Sequence, residues 1–343
     1  MAKTKVEDLN WKNLGFKYHD LPYRFQEEFK DGKWQGGKLT TDSTLKLSEA
    51  AEEFHYGQEV FEGLKAYRRK DGGINLFRPD MNAKRLENSA KRLLMQTYPQ
   101  DKFVSAVKKV VKANQEFVPP YGSGGSLYIR PFLIGTKPVI GVEASDEFQF
   151  RIFATPVGAY IKGLKPMPYL VSDYDRAAYE GTGQAKTAGN YAASLLPSEL
   201  AKKGGFAECL YLDPRKHEYI DEFGGANFFG ITKNGQFKTP HSNSILPSIT
   251  KKSLLYIADE LGMYPKETQI NIHDLDEFAE AGAMGTAAVI SPVGSLTYKG
   301  RKHVFYSETK TGPYTQKLYD VLNGIQNGDK KGPKGWQVDV PLK

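Results

Sequence analysis

The sequence predicts a two-domain protein of mixed α+β and α/β character, and three observations point there. At 343 residues with 40% hydrophobic content, the chain can bury two substantial cores. Its first half alternates helical periodicity with runs of aromatic and β-branched residues, while its second half sets short apolar strands between helices. Between them, residues 156–168 shift to Pro, Gly and small side chains. The expected division is therefore a smaller α+β domain over 1–155, an interdomain loop over 156–168, and a larger domain over 169–343.

The elements follow in order. Apolar residues near 3.6 spacing predict a helix over 80–94, with Asp80 or Asn82 as its cap. A second helix is expected over 102–117, ended by Pro119 and Pro120. Segments 126–134 and 148–154 read as strands. In the second half, short strands are expected at 169–171, 208–212, 227–232 and 287–290. Helices are expected over 191–203 and 248–261, stopped by Gly204-Gly205 and Gly262. Residues 311–326 read as a C-terminal amphipathic helix.

Composition excludes several classes of function. The single cysteine, Cys209, rules out an internal disulfide framework and a cysteine-rich metal site. The N-terminal residues lack the apolar core of a secretory signal, and no apolar stretch approaches a membrane span. A cytoplasmic protein without a bound metal is expected. The net charge is +7, but the basic residues are scattered, and Lys251-Lys252 and Lys330-Lys331 are short groups. A nucleic-acid reader concentrates such charge on one element, so an anionic small ligand is the better use of a positive field.

The most informative stretch is Gly181-Thr-Gly-Gln-Ala-Lys-Thr-Ala-Gly-Asn-Tyr191. It rings Lys186 with small residues that let a bulky group approach the backbone. A surface lysine in a glycine-rich loop would also fit that spacing. Neither a phosphate-binding P-loop nor a dinucleotide fingerprint does. Glu222, in Asp-Glu-Phe-Gly-Gly-Ala-Asn227, supplies a separate carboxylate, although a solvated strand-end charge reads the same way. Arg85 has an ordinary exposed helical context. In Leu246-Pro-Ser-Ile-Thr250, a helix start leaves the Ile249 and Thr250 amides as donors suited to phosphate; a plain capped helix would look alike. Met284-Gly-Thr-Ala287 is a second small-residue turn that could offer amides.

Five motifs in order lift these readings above the generic. They are His55-Tyr-Gly-Gln-Glu-Val-Phe-Glu-Gly-Leu-Lys-Ala-Tyr67, Ser126-Leu-Tyr-Ile-Arg-Pro131, the Lys186 run, the Glu222 run and Ile245-Leu-Pro-Ser-Ile-Thr250. Together they make the chain resemble the branched-chain amino acid aminotransferases, pyridoxal-phosphate enzymes of fold type IV, from about Leu14 to Trp336. The resemblance implies a two-domain enzyme with pyridoxal 5'-phosphate in the interdomain cleft and the larger domain binding it. It also implies ping-pong exchange of the amino group of Leu, Ile or Val with 2-oxoglutarate.

Residue by residue, the resemblance implies that Lys186 forms the Schiff base and then carries the proton between substrate and cofactor. Glu222 is to pair with the pyridine nitrogen, Tyr191 to meet the phenolate oxygen, and Arg85 with Ile249, Thr250 and Thr286 to hold the phosphate. Phe61, Tyr128 and Tyr160 are expected to wall the side-chain pocket, and Arg130 to receive the distal carboxylate of glutamate or 2-oxoglutarate. The amides of Thr286 and Ala287 are expected to hold the α-carboxylate. Tyr56, Ile140 and Val142 are to reach the neighbouring subunit's site, which makes the homodimer the working unit. Arg176 is read as structural, bracing the segment before Lys186.

Two positions depart from the mammalian relatives. Ala288 and Ser291 stand where those carry a Cys-x-x-Cys pair, which excludes redox switching by that route. Gly225 stands where they have Thr, so a hydroxyl near the cofactor is missing. D-amino acid aminotransferases and aminodeoxychorismate lyases share the fold but lack the first two motifs as written here. A non-catalytic basic binding protein is the alternative from another class; every expected catalytic position being filled counts against it.

Overall fold

The computed structural model describes residues 3–158 and 164–342. The chain divides into two compact units. One comprises Met1–Tyr160, Ala185–Ala188 and Gly324–Lys343; the other comprises Ile161–Gln184 and Gly189–Asn323. Lys186 thus belongs to the first unit although its sequence neighbours on both sides belong to the second.

The first unit is a nine-stranded sheet whose pairings are antiparallel. Its centre is the long pair Ser126–Gly135 and Phe148–Val157, in register from Ser126↔Val157 to Gly135↔Phe148. The strand Glu59–Phe61 pairs with the far end of Ser126–Gly135, and Leu64–Arg68 with its beginning. Gln337–Asp339 returns from the C-terminus to pair with Ile74–Phe77. Helices Pro79–Arg92 and Gln100–Ala113 cover one face and close a core that includes Leu86, Phe103, Val107, Leu127, Ile129 and Phe150. Tyr98 stacks on Phe150 with ring centroids 3.9 Å apart while its hydroxyl donates to Glu27 at 2.6 Å.

The second unit is a nine-stranded mixed sheet in which Met167–Val171 runs parallel to both Cys209–Leu212 and Val289–Tyr298. Cys209–Leu212, Ile220–Phe223, Asn227–Thr232, Phe278–Gly285 and Val289–Tyr298 continue it antiparallel. The pairing Glu222↔Asn227 joins two strands already linked the long way round, so the sheet closes on itself. Phe223, Phe228, Ile231, Phe278 and Val293 are buried in this unit.

Several expected elements are corrected. The helix predicted over 191–203 is two, Ala188–Ala193 and Leu195–Lys203. Pro197 has no N–H to give Ala193, so the first helix cannot run through, and Ser194 turns back to donate to the Tyr191 carbonyl at 2.7 Å. Neither Asp80 nor Asn82 caps its helix: Arg78, at φ 47, precedes Pro79 at the first helical position. The second helix spans Gln100–Ala113 and gives way to a 3-10 turn at Gln115–Phe117. The strand expected at 287–290 is longer, Val289–Tyr298, and Phe278–Gly285 before it was not foreseen.

Candidate active site

In the first unit the backbone of Lys186 is held on both sides. Its N–H donates to Ser89 Oγ at 2.9 Å, and its carbonyl accepts from the Phe61 N–H at 3.0 Å. The ammonium lies 4.8 Å from the Phe61 ring centroid. Ser89 comes from the buried stripe of Pro79–Arg92, which at i, i+3 and i+7 is Asn82, Arg85 and Ser89. A polar stripe turned inward on an amphipathic helix is a site signal rather than a packing one.

Arg85 lies on that stripe, buried, not in the exposed position its sequence context suggested. Its Nε and Nη2 donate to the two carboxylate oxygens of Glu62 at 2.7 and 2.8 Å. Asn82 Nδ2 adds a bond to Glu62 Oε2 at 2.7 Å. Glu62 is completely buried and fixes the guanidinium plane from behind. Neither Glu62 nor Asn82 was picked out as a site residue. The signal available was the carboxylate in Phe61-Glu62-Gly63, inside an otherwise apolar motif.

Tyr128 and Arg130 project from one face of Ser126–Gly135. Arg130 Nη2 donates to the Tyr128 hydroxyl at 3.0 Å, and its guanidinium carbon is 4.8 Å from the Phe61 centroid. The structure therefore brings Phe61, Tyr128, Arg130 and Lys186 together. Tyr160 lies outside the described residues. Tyr56 donates to the Ile140 carbonyl, and Ile140 and Val142 are 85% and 86% exposed, so these three form one projecting patch.

In the second unit Glu222 is buried at the point where the sheet closes. Arg176 Nη2 reaches Glu222 Oε1 at 2.6 Å, the Leu246 N–H donates to the same oxygen at 3.0 Å, and Asn227 Nδ2 donates to Oε2 at 2.7 Å. That donor set suits an ionised carboxylate. Arg176 also donates to the Gly183 and Ser244 carbonyls at 3.1 and 2.7 Å. It braces the segment before Lys186, as expected, and holds Glu222 as well. Thr182 and Asn190 bracket the excursion from within this unit, with Thr182 Oγ1 donating to Asn190 Oδ1 at 2.7 Å. Tyr191 follows on Ala188–Ala193.

Ile249–Glu260 begins where the sequence put it, with Ser248 as N-cap accepting from Lys251 at 3.1 Å. Ile249 and Thr250 occupy the first turn, whose amides lack intrahelical acceptors. Thr286 and Ala287 lie in the turn between Phe278–Gly285 and Val289–Tyr298. That turn ends on Val289 at φ 63, a conformation a β-branched residue rarely adopts and which gathers at functional sites. Gly225 gives its amide to the Glu208 carboxylate. Burial pushes Glu208 up to about 7, and Asp221 likewise.

A family model described as Amino-transferase class IV matches residues 59–296, more than half of the chain. The branched-chain-amino-acid aminotransferase of Haemophilus influenzae is 58% identical over 98% of this chain and 100% of its own length. The enzyme of that name from Helicobacter pylori is 47% identical over 98% and 99%. The chain belongs to the class IV aminotransferases, among the branched-chain-amino-acid enzymes.

Solved aminotransferases agree in fold. The branched-chain aminotransferase of Thermoproteus uzoniensis, solved with norvaline, superposes with a TM-score of 0.78 at 28% identity, covering 92% of this chain and 99% of that one. The T.th. branched-chain amino acid aminotransferase, solved with pyridoxamine 5'-phosphate, gives 0.79 at 26% identity, covering 96% and 99%. Class IV aminotransferases work with pyridoxal 5'-phosphate, and this chain's donor sets fit that group. Within the first unit the donors are a backbone-pinned lysine and a buried arginine; within the second they are a carboxylate held by three donors and a capped helix N-terminus. No helix among the described residues is long and apolar enough to cross a membrane.

Proposed function

We propose that this aminotransferase moves the amino group of leucine, isoleucine or valine to 2-oxoglutarate, with Lys186 as the proton carrier. The observation that carries the reading is the double tether of the Lys186 backbone, which fixes its Cα and places the ammonium beside the Phe61 ring. Such a tether suits a lysine that must release a group and then return a proton to the same place. Pyridoxal phosphate, when bound, supplies the carbonyl that takes the amino group and the ring that withdraws electrons from the substrate.

The remaining roles belong to this chain's residues. Glu222, oriented by Arg176 and Asn227, accepts the pyridine N–H and keeps that nitrogen protonated. Arg85, with its plane set by Glu62, joins the amides of Ile249 and Thr250 and the Thr286 turn in holding phosphate. Tyr191 donates to the phenolate oxygen. Phe61, Tyr128 and Tyr160 wall the side-chain pocket, where burying a Val- to Leu-sized group contributes about 1.5–3 kcal/mol. Arg130 receives the distal carboxylate of the dicarboxylic substrate, and the amides of Thr286 and Ala287 receive the α-carboxylate.

The working unit of this reading is a homodimer in which Tyr56, Ile140 and Val142 extend into the neighbouring copy's site. Two apolar side chains at 85% and 86% exposure on one turn support it. The reading also makes the enzyme cytoplasmic, which its one buried cysteine fits. Borohydride reduction followed by peptide mapping tests the proposal. The yellow holoenzyme should carry the reduced cofactor on the Lys186 peptide, and a label elsewhere, or none, contradicts it.

A further inference from the structure

Apart from the residues assigned so far, the first unit holds a cavity of about 160 Å³ with a charged side and an apolar side. Arg24 and Arg151 line one side, and Leu45, Phe132 and Phe153 line the other. The strands explain why they meet. Phe132 stands opposite Arg151 in the pairing of Ser126–Gly135 with Phe148–Val157, and alternation brings Phe153 to the same face. Gln26 stands opposite Arg151 from the other side. Arg24, two residues before Gln26 on the strand Arg24–Lys30, is therefore a diagonal neighbour of Arg151, about 7–8 Å away at the backbone. Both arginines are buried, at 3% and 5% exposure.

Arg151 donates from Nη1 to the Thr44 carbonyl and from Nη2 to the Asp42 carbonyl, each at 2.7 Å. Those bonds hold segment 42–44 against the sheet and use fewer than half of the guanidinium's N–H groups. Arg151 makes no ion pair among the described residues, whereas Arg24 reaches Asp20 at 2.5 Å. Asp20 is already shared: Lys3 lies at 3.1 Å, the Tyr18 hydroxyl donates at 3.0 Å and Ser43 Oγ at 3.3 Å. Two buried guanidiniums thus face one carboxylate whose acceptor sites are taken. Burial and then the charge of Arg24 loosen the hold of Arg151 on its proton, opposed by a smaller pull from Asp42. Buried positive charge of this kind is costly until an anion compensates it.

We propose that this cavity binds a small aliphatic carboxylate, whose charged end takes the remaining donors of Arg151 and Arg24 while its tail packs against Leu45, Phe132 and Phe153. The volume sets the size of the tail: a cavity of about 150 Å³ holds a benzene ring, so roughly five or six carbons fit. A fully hydrated anion such as phosphate would leave the aromatic side uncovered, and an uncharged hydrocarbon would leave the guanidiniums uncompensated. The occupant joins segment 42–44 to both strands beneath it. The class includes the 2-oxo acids of the proposed reaction, but the inference does not depend on that reading, because none of the lining residues has a role in it.

Calorimetry on the holoenzyme with 4-methylvalerate counts the sites, and the visible band of the cofactor reports the reactive one separately. Wild type should bind two molecules per chain, only one of which moves the band. Acetate, which keeps the charge without the tail, should bind the second site at least roughly tenfold more weakly. The neutral amide of 4-methylvalerate should not bind there. Arg151→Met should lose the second molecule and keep the band response. Should Arg151→Met fail to fold, because it also frees segment 42–44, Leu45→Trp fills the cavity from an exposed position with both arginines in place, and it too must lose the second molecule. The proposal is overturned if wild type binds only the molecule that moves the band, if acetate or the amide binds the second site equally well, or if that site survives in Leu45→Trp. If the band never moves while Leu45→Trp still loses a molecule, this site stands and the reading of the reactive one falls.

Discussion

Replacing Glu62 with Gln should destabilise the apoenzyme far more than a typical substitution. Glu62 is completely buried, and its two oxygens accept Arg85 at 2.7 and 2.8 Å and Asn82 at 2.7 Å. Gln keeps one acceptor oxygen but turns its own amide N–H₂ toward one of these donors, and it removes the charge opposite Arg85. Breaking one side of a buried ion pair in this way costs about 3–5 kcal/mol. Arg85→Met should cost a similar amount for the converse reason. Because both singles remove the same pair, the double variant should fall short of their sum by about 1–3 kcal/mol. Urea titrations of the four apoproteins, followed by tryptophan fluorescence, give these differences from the midpoints. A Glu62→Gln cost under about 1 kcal/mol, or strict additivity in the double variant, would refute the reasoning.

Two glycines flanking Lys186 should respond with opposite signs. A Cβ at Gly183 would lie 2.2 Å from the Ser244 carbonyl oxygen, whereas one at Gly189, inside Ala188–Ala193, meets nothing within 4 Å. Gly183→Ala should cost about 1–3 kcal/mol or more and Gly189→Ala should gain about 0.5–1 kcal/mol, both read as urea midpoints; the same sign for both is the contrary result. Glu222→Gln should lower kcat more than cofactor retention, because its one remaining oxygen can still accept from the Leu246 N–H while the negative charge is lost; loss of cofactor at unchanged kcat per bound cofactor contradicts this. Stability should fall as pH rises from about 4.5 to about 8 and then level off. Glu53, Glu208 and Asp221 keep protons in the folded chain to about 8, 7 and 7, whereas the unfolded chain releases them near ordinary carboxyl values. Equal urea midpoints at about pH 6 and about pH 8.5 would count against it, and Glu208→Gln should flatten the decline.

Much of the site was legible because its chemistry is local. Pro247-Ser248 announces the helix Ile249–Glu260 by capping physics alone. The alternation of Ser126–Gly135 identifies a strand, and with it the shared face of Tyr128 and Arg130. What failed depends on tertiary neighbours. Phe278–Gly285 is poor in β-formers, yet it is a central strand. Gly282 stands opposite Phe229, whose ring lies 2.3 Å from where its Cβ would be, so the missing side chain makes room for an aromatic. Glu62, Asn82 and Ser89 are 20 or more residues from some of their partners, which chain order does not reveal. The break at Ser194, by contrast, could have been read from Pro197.

The account's central claim is transamination of branched-chain L-amino acids through Lys186, and a donor panel tests it most directly. Leucine, isoleucine, valine and D-alanine are each mixed with 2-oxoglutarate and the wild-type or Lys186→Ala holoenzyme, and glutamate is measured. Wild type should form glutamate from the three branched-chain donors, and Lys186→Ala should form none above background. D-alanine as the best donor, or undiminished turnover by Lys186→Ala, would contradict it.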